Sequence, residues 1–495
     1  MAMQRRGAMW TGWLGVFLAL PSAAQPPAAA APVRIEVGLK PAQAALWHHH
    51  DEGSGFLPLS FFRALRDAET GLPFLEALPR FGLVPDPTNA MGLPIGLSAA
   101  SVVTAPHDSL QVGVSCSACH SGLWTYRGQS MVVDGAPNML RFKGLLDALR
   151  SSLTATIESP SELLAFVDEI LRHEATTPDR AGLFSLHPQA RDLLTAAAAA
   201  APEHPLAPMR RHLSDAFHRA YRAASAEAAR GILEASGREM PLPPPEHLEP
   251  FERLREGLAG MATGFAYVKR HEQRLTLLAE AFSGSTDAGP GRADSFDAIW
   301  DLLVQKERVR PMDAPVSIPH LFRYATFHWV HWDGNSSTVM GRDHAQAVAL
   351  GADLVPETLA SSVLTRNIVE LEQAAHGFTS PSWPEPILGT IDREKVARGK
   401  VTYARVCGSC HQGETLVPVA DVGTDPRRAV NFAQLDERGA SYAQWLIELG
   451  GALTDAAAKR SGVSPEEIAA VERSKTPTWR ATGAYQAREL AGVWA

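Results

Sequence analysis

The chain has almost no cysteine, four residues in 495, and none is left over once two Cys-x-x-Cys-His motifs are counted. It has no excess of positive charge either. Against 46 lysines and arginines stand 54 acids, a formal net charge of −8, which favours neither nucleic acid nor an anionic membrane surface as a partner. No stretch reaches comfortable transmembrane length. Few runs alternate β-branched with polar residues, and no internal repeat exists beyond the two motifs. Downstream of His411 there is neither a histidine nor a methionine.

What the chain does have is Cys116-Ser117-Ala118-Cys119-His120 and Cys407-Gly408-Ser409-Cys410-His411. Two sulfurs three positions apart on one helical turn can each form a thioether to a haem vinyl group, and the adjacent histidine then lies under the iron. The spacing predicts two covalently bound c-type haems, attached at Cys116, Cys119, Cys407 and Cys410, with His120 and His411 as axial ligands. A structural zinc would need four ligands gathered from both motifs and would leave the two histidines without a reason. A redox dithiol does not need the histidine at all.

The first 24 residues agree with haem attachment outside the cytoplasm. Arg5 and Arg6 form a basic start, Met9 to Leu20 is apolar, and Ser22-Ala23-Ala24 offers small residues for cleavage. The leader is expected at 1–24 and a Pro/Ala tether at 25–32, giving a periplasmic or secreted product without a membrane anchor. An apolar fraction of 45% with 20% charged residues is that of an ordinary globular chain with a substantial core.

Gly, Pro and aromatics dominate 33–160, the expected N-terminal haem region. Composition shifts to Ala, Leu, Glu and Arg over 161–282, which reads as a block of amphipathic helices. The segment 283–380 begins with a Gly/Asp/Ser linker and is then dense in aromatics and histidine, including Phe327, His328, Trp329, His331 and Trp332. Such a cluster needs a large flat partner or a large core. Residues 381–495 resemble a cytochrome c domain, with Gly399 and Tyr403 on the face of its first helix that would cross a terminal helix. The expected fold class is mainly α: two cytochrome c-like haem domains with an added helical block and long loops.

Taken together, Trp47 to Leu57, Arg80 to Pro87, Val112 to Gly122, Val133 to Pro137, Ala314 to Asn335 and Val422 to Pro426 resemble the di-haem rubber oxygenases and, more distantly, the bacterial di-haem cytochrome c peroxidases. The resemblance implies an N-terminal haem with an open face for O₂ or H₂O₂ and a C-terminal haem that carries electrons. It implies that aromatics crowd the reactive face, with Phe327, Trp329 and Trp332 as candidates, and that the 283–380 segment packs on the first haem. The organic substrate, small or polymeric, does not transfer with the fold. A small redox protein is a further expected partner. The rival readings are a di-haem peroxidase, a pure electron-transfer cytochrome and an inactive relative.

Other residues have a plainer alternative. His328 and His331 can face a haem edge or serve as packing residues. Arg141, Arg323 and Arg342 can neutralise propionates, Met131, Met139 and Met340 can act as sulfur ligands, and His48, His49 and His50 can grip a metal. Glu52, Asp134 and Asp333 can bind calcium, or simply form turns. In the family resembled, a stretch like Lys475 to Ala495 leads into a segment that carries a histidine. The second haem is therefore expected to lose its outer ligand through truncation, or to take Met340, His344 or His376 instead. Truncation would also leave the C-terminal domain destabilised.

Overall fold

The computed structural model describes residues 31–101, 110–174, 207–242, 248–284, 286–296, 313–435 and 441–495, together with 203, 245, 298–299 and 439. The expected leader, nearly all of the tether and the six-alanine run 196–201 lie outside them. About half of the chain is helix and 13% is strand. The expectation of a mainly α chain is thus corrected to a mixed one, helix-rich with small sheets.

The strands were hard to see because they are short and carry little alternation. Strand β1 (Val33–Arg34) lies parallel to β6 (Gln129–Asp134), whose other edge pairs with β5 (Ser121–Tyr126). A second sheet has β4 (Leu110–Val114) between β2 (Leu57–Pro58) and β3 (Leu97–Ser101). The β5–β6 hairpin turns on Arg127 and Gly128, both at positive φ (49° and 83°), the geometry that matches strand twist in a two-residue loop.

Helix α1 (Pro41–His49) opens on a proline whose fixed φ suits the first turn, and Gln43 Oε1 accepts the Lys40 N–H at 3.0 Å. It buries Trp47 and His48. The first motif forms α2 (Cys116–His120), a single turn between β4 and β5. Then follow α3 (Phe142–Glu158), α4 (Pro160–Glu174), α5 (Ala207–Tyr221), α6 (Ala226–Arg238) and the 34-residue α7 (Leu248–Ala281), about 51 Å long at 1.5 Å per residue. Along α7, Leu258, Met261, Ala262, Phe265, Val268 and Leu275 are buried, one helical face that meets the phenylalanines at 56–81 in the largest core.

The C-terminal half is built on α8 (Val339–Ala349), α9 (Thr365–Ala375), α10 (Arg393–Val406) and α11 (Tyr442–Ser461). Met340, Val348, Ile368 and Val369 share one core with Leu453, Ala458 and Val471. Phe296, Ala345 and Ala349 share another with Phe432, Tyr442 and Trp479. Residues on both sides of position 381 therefore pack as one body. Helix α10 is the exception, since none of its residues is buried. Val396 and Val401 on it are 51% and 70% exposed.

Helix α8 starts on a double cap. Thr338 Oγ1 accepts the Gly341 N–H at 3.0 Å, while the Glu472 carboxylate accepts the N–H groups of Val339 (2.7 Å) and Met340 (3.1 Å) and the Thr338 hydroxyl (2.9 Å). A carboxylate at this end also meets the positive pole of the helix. Glu472→Ala is expected to cost about 2 kcal/mol in urea unfolding. A change below about 0.5 kcal/mol would mean that these donors find other partners.

Candidate functional site

The first motif is held from three sides. Ser117 Oγ donates to the His48 carbonyl at 3.0 Å, the Asn138 N–H donates to the Cys119 carbonyl at 2.9 Å, and the Gly135 N–H donates to the His120 carbonyl at 2.7 Å. Gly96 lies against α2 at φ +94°, and a Cβ there would stand 2.3 Å from the Ala118 Cα. Only a glycine permits so close an approach in that conformation.

Beneath this turn lies a buried polar chain. Trp47 Nε1 donates to Ser121 Oγ at 3.1 Å, which donates to Asp134 Oδ1 at 2.8 Å, and His48 Nε2 meets the same oxygen at 2.8 Å. His49 lies between Asp86 and the Leu97 carbonyl, both at 2.9 Å, and His50 faces Glu370 at 2.9 Å. The three-histidine run is thus spent on three separate contacts. Among the described residues no three His, Cys, Asp or Glu side chains converge as a metal site.

Cys116 and Cys119 are half-buried and unpaired, and burial pushes the Cys119 thiol up to about 12 and that of Cys116 well above its ordinary value. His120 is pushed down to about 3, first by burial and then by Arg342, against an opposing contribution from the Pro319 backbone. It is therefore a neutral imidazole, the form that ligates a metal. Its Nδ1 is sealed from solvent without a hydrogen-bond partner.

At the second motif, Cys407 caps α10 and His411 Nδ1 donates to the Arg488 carbonyl at 2.6 Å. Tyr403 donates its hydroxyl to the His411 carbonyl at 2.9 Å. The segment carrying Arg488 arrives through the antiparallel pair Thr415–Pro418 with Ala484–Ala487. An imidazole tied at Nδ1 to a carbonyl has its tautomer set, with Nε2 left to act as a ligand. Both motifs thus present two sulfurs and an adjacent imidazole, the one at His411 oriented by its carbonyl partner, which fits covalent haem. The surroundings differ, because α2 is enclosed while α10 and its turn stand at the surface.

The aromatic and histidine candidates separate in space. Phe327 is 3% exposed and lies under the Arg488 guanidinium, 5.0 Å from the ring centre. The N–H groups of His328 and Trp329 both donate to Glu414, which leaves His328 exposed and Trp329 covered by Arg480 at 3.4 Å. His331 has φ +73°, its Nδ1 donates to Asn335 Oδ1 at 2.8 Å, and its ring stacks on Trp332 at 5.8 Å. Burial holds it well below the usual histidine range. Trp332 Nε1 donates to the Ser317 carbonyl at 2.6 Å.

The alternative ligands are placed unequally. His344 is fully buried with both nitrogens engaged, to the Met340 carbonyl at 2.7 Å and Thr365 Oγ1 at 2.9 Å. Met340 is 0% exposed inside the α8–α9–α11 core. Neither has an atom open to a second partner without repacking. His376 Nε2 is buried without a hydrogen bond, 3.9 Å from Glu372 Oε2. Met139 is 57% exposed and Met131 is 3% exposed. Arg141 and Arg323 are exposed, and Arg323 pairs with Glu489.

Sequence reasoning named Glu52 and Arg342 separately but not the buried charge cluster that unites them beside the first motif. Glu52 accepts the Cys116 thiol at 3.1 Å. Glu372 accepts Arg342 Nη2 at 2.7 Å and the Tyr324 hydroxyl at 3.2 Å, and Arg342 also meets Asp343 at 2.7 Å. Arg473 and Arg488 complete it. These residues come from seven separate places in the chain, and no local pattern brings them together.

Burial, opposed by the Cys116 hydrogen bond, pushes the Glu52 carboxyl from its ordinary 4.5 up to about 7. The folded chain then holds this proton more tightly than the unfolded one. Its stabilising effect is complete below pH 4.5 and is lost as pH rises through about 7. Glu52→Gln is expected to raise the haem-free chain's stability at pH 8 by about 3 kcal/mol and leave it unchanged at pH 4. Equal effects at the two pH values in urea titrations would refute the assignment.

No family model matches the chain, and no solved structure matches it. Among curated proteins, the chain is similar to "Uncharacterized protein y4iJ" of Sinorhizobium fredii (strain NBRC 101917 / NGR234), 23% identical over 537 aligned positions that cover 93% of this chain and 77% of the relative. That likeness shows no family, and the relative's name assigns no activity.

Proposed function

We propose that this protein is an extracytoplasmic di-haem c-type oxidoreductase of the kind the rubber oxygenases represent, with its chemistry at the first motif and electron transfer through the second. The observation that carries the reading is the repeated placement, at Cys116–His120 and Cys407–His411, of two cysteines on one turn with a histidine directly after them; His411 Nδ1 is tied to the Arg488 carbonyl, and burial keeps His120 neutral. When bound, haem iron supplies activation of dioxygen or peroxide and one-electron transfer. Cys116 and Cys119 would anchor the first group and His120 would orient it. Cys407, Cys410 and His411 would do the same for the second.

The chain's own residues divide the remaining work. Phe327, buried beside the charge cluster, excludes water. The enclosure of α2 suits substrate chemistry, whereas the open turn after α10 suits exchange of electrons with a partner. Among the described residues no helix is long and apolar enough to cross a membrane.

The test is a pyridine haemochrome assay on protein secreted from a host competent in cytochrome c maturation, followed by optical and EPR titration with CO, cyanide and H₂O₂. Two covalent haems and at least one iron that takes exogenous ligands are expected. Absence of covalent haem would end the reading, and two closed irons would reduce it to an electron carrier.

A further inference from the structure

The charge cluster has three arginines and three carboxylates, but the carboxylates do not reach all three guanidiniums. Arg342 is neutralised by Glu372 and Asp343. Arg473 and Arg488 are not. Arg473 donates Nη1 to the carbonyls of Tyr324 and Phe327, the latter at 2.8 Å, and its guanidinium stacks 3.7 Å from the Tyr324 ring centre. Its Nε and Nη2 are sealed from solvent without a partner, as is Arg488 Nη1. Neither arginine has a carboxylate at ion-pair distance among the described residues.

Such an arrangement is costly if left as it is. A guanidinium does not shed its proton at neutral pH, and burial, with repulsion from Arg342 and Arg473 and against opposing contributions that include Glu414, lowers Arg488 only to about 10. Tyr324 is held above the ordinary phenol value by burial, so it stays neutral and supplies no counter-charge. Sealed and unmet donors on two half-buried cations are costly unless an anion joins them. The planar fork of arginine suits a carboxylate, which accepts two parallel N–H bonds.

We propose that Arg473 and Arg488 form a clamp for a carboxylate that enters beside Tyr324 and Phe327, the two guanidiniums supplying its donors and countering its charge. Arg488 also links the two motifs: its carbonyl holds His411, and its guanidinium bears on His120. A propionate of a covalently held haem is one source of the carboxylate, and it rests on the function proposed above. A free carboxylate ligand is the other.

The experiment uses holoprotein and the variants Arg473→Gln and Arg488→Gln, with redox titration and with calorimetric titration of sodium acetate. For a propionate, removing either cation favours the oxidised haem. One midpoint potential should then fall by a tenfold change in the reduction equilibrium, about 59 mV for one electron, while acetate gives no saturable heat. For a free carboxylate, the potentials hold and the wild type shows saturable acetate binding that both variants lose. Unchanged potentials with no acetate binding overturn the clamp.

Haem content separates this outcome from failure of the proposed function. Two haems with no shift and no acetate binding sink the clamp alone; no haem sinks the function, and the acetate arm still tests the clamp. If the glutamine variants do not accumulate, Arg473→Lys and Arg488→Lys keep the charge but lose the fork. They should shift the same readout in the same direction by less, and no shift counts against the clamp.

Discussion

Replacing Cys116 and Cys119 together by serine is expected to halve the covalent haem and reduce any O₂- or peroxide-dependent turnover to background, while the matching change at Cys407 and Cys410 removes the other half. The two losses should differ in kind. The first pair lies in an enclosed turn, so the chain loses both the group and the core around it; the second pair, itself half-buried, follows the exposed helix α10, where little besides the group is lost. Haemochrome content per chain and thermal midpoint, measured on both double variants, separate the two effects. Equal loss of thermal stability from both would contradict the unequal surroundings of the two motifs. Retention of full haem content by either variant would remove the basis for covalent attachment there.

Gly96→Ala should be nearly as damaging without touching any ligand. The added Cβ would lie 2.3 Å from the Ala118 Cα and 2.6 Å from its nitrogen, all backbone of the motif helix. Nothing there can swing aside. The φ of +94° adds strain of about 1–3 kcal/mol for any residue with a side chain. The sum is expected to exceed about 4 kcal/mol, beyond the ordinary range for one substitution, and to lower haem attachment at the first motif. Gly71→Ala is the control, since its φ is +70° with nothing within 4 Å. It should cost only about 1–2 kcal/mol. If the two alanine variants unfold at the same urea concentration, the close approach at Gly96 is not what holds α2.

Some of the architecture could be read from residues in order. Helix α7 declares itself through apolar positions three and four apart, and the Ala/Leu/Glu/Arg composition of 161–282 marks the helical block. The sheets could not be read so easily, because strands of two to six residues offer too few positions for a period of two to stand out. One signal was present all the same: Leu123-Trp124-Thr125-Tyr126 and Met131-Val132-Val133 flank Arg127-Gly128, the pattern of a tight hairpin. The boundary drawn at 381 followed a local likeness, while the cores that cross it depend on Phe432, Tyr442 and Leu453 meeting side chains far away in sequence.

The candidate site divides in the same way. Cys-x-x-Cys-His is a local pattern because both sulfurs and the imidazole must sit on one turn, so the four cysteines, His120 and His411 are legible without a fold. The aromatic run at 327–332 was legible as a cluster, but not which members turn inward. That depends on Glu414, which takes the N–H groups of His328 and Trp329 from outside and leaves Phe327 buried beneath Arg488. His344 looked open in sequence, yet Met340 and Thr365 occupy both of its nitrogens.

By itself, then, the sequence determined the two Cys-x-x-Cys-His motifs on which the proposed haem attachment rests, since the sulfur spacing and the adjacent histidine are properties of five consecutive residues. Tertiary structure decided everything that depends on distance across the chain: that the first motif is enclosed and the second exposed, that Gly96 must lack a Cβ, and that Arg473 and Arg488 come together with their donors unmet. Burial and charge balance are sums over neighbours, and neighbours drawn from separate segments exist only once the chain has folded.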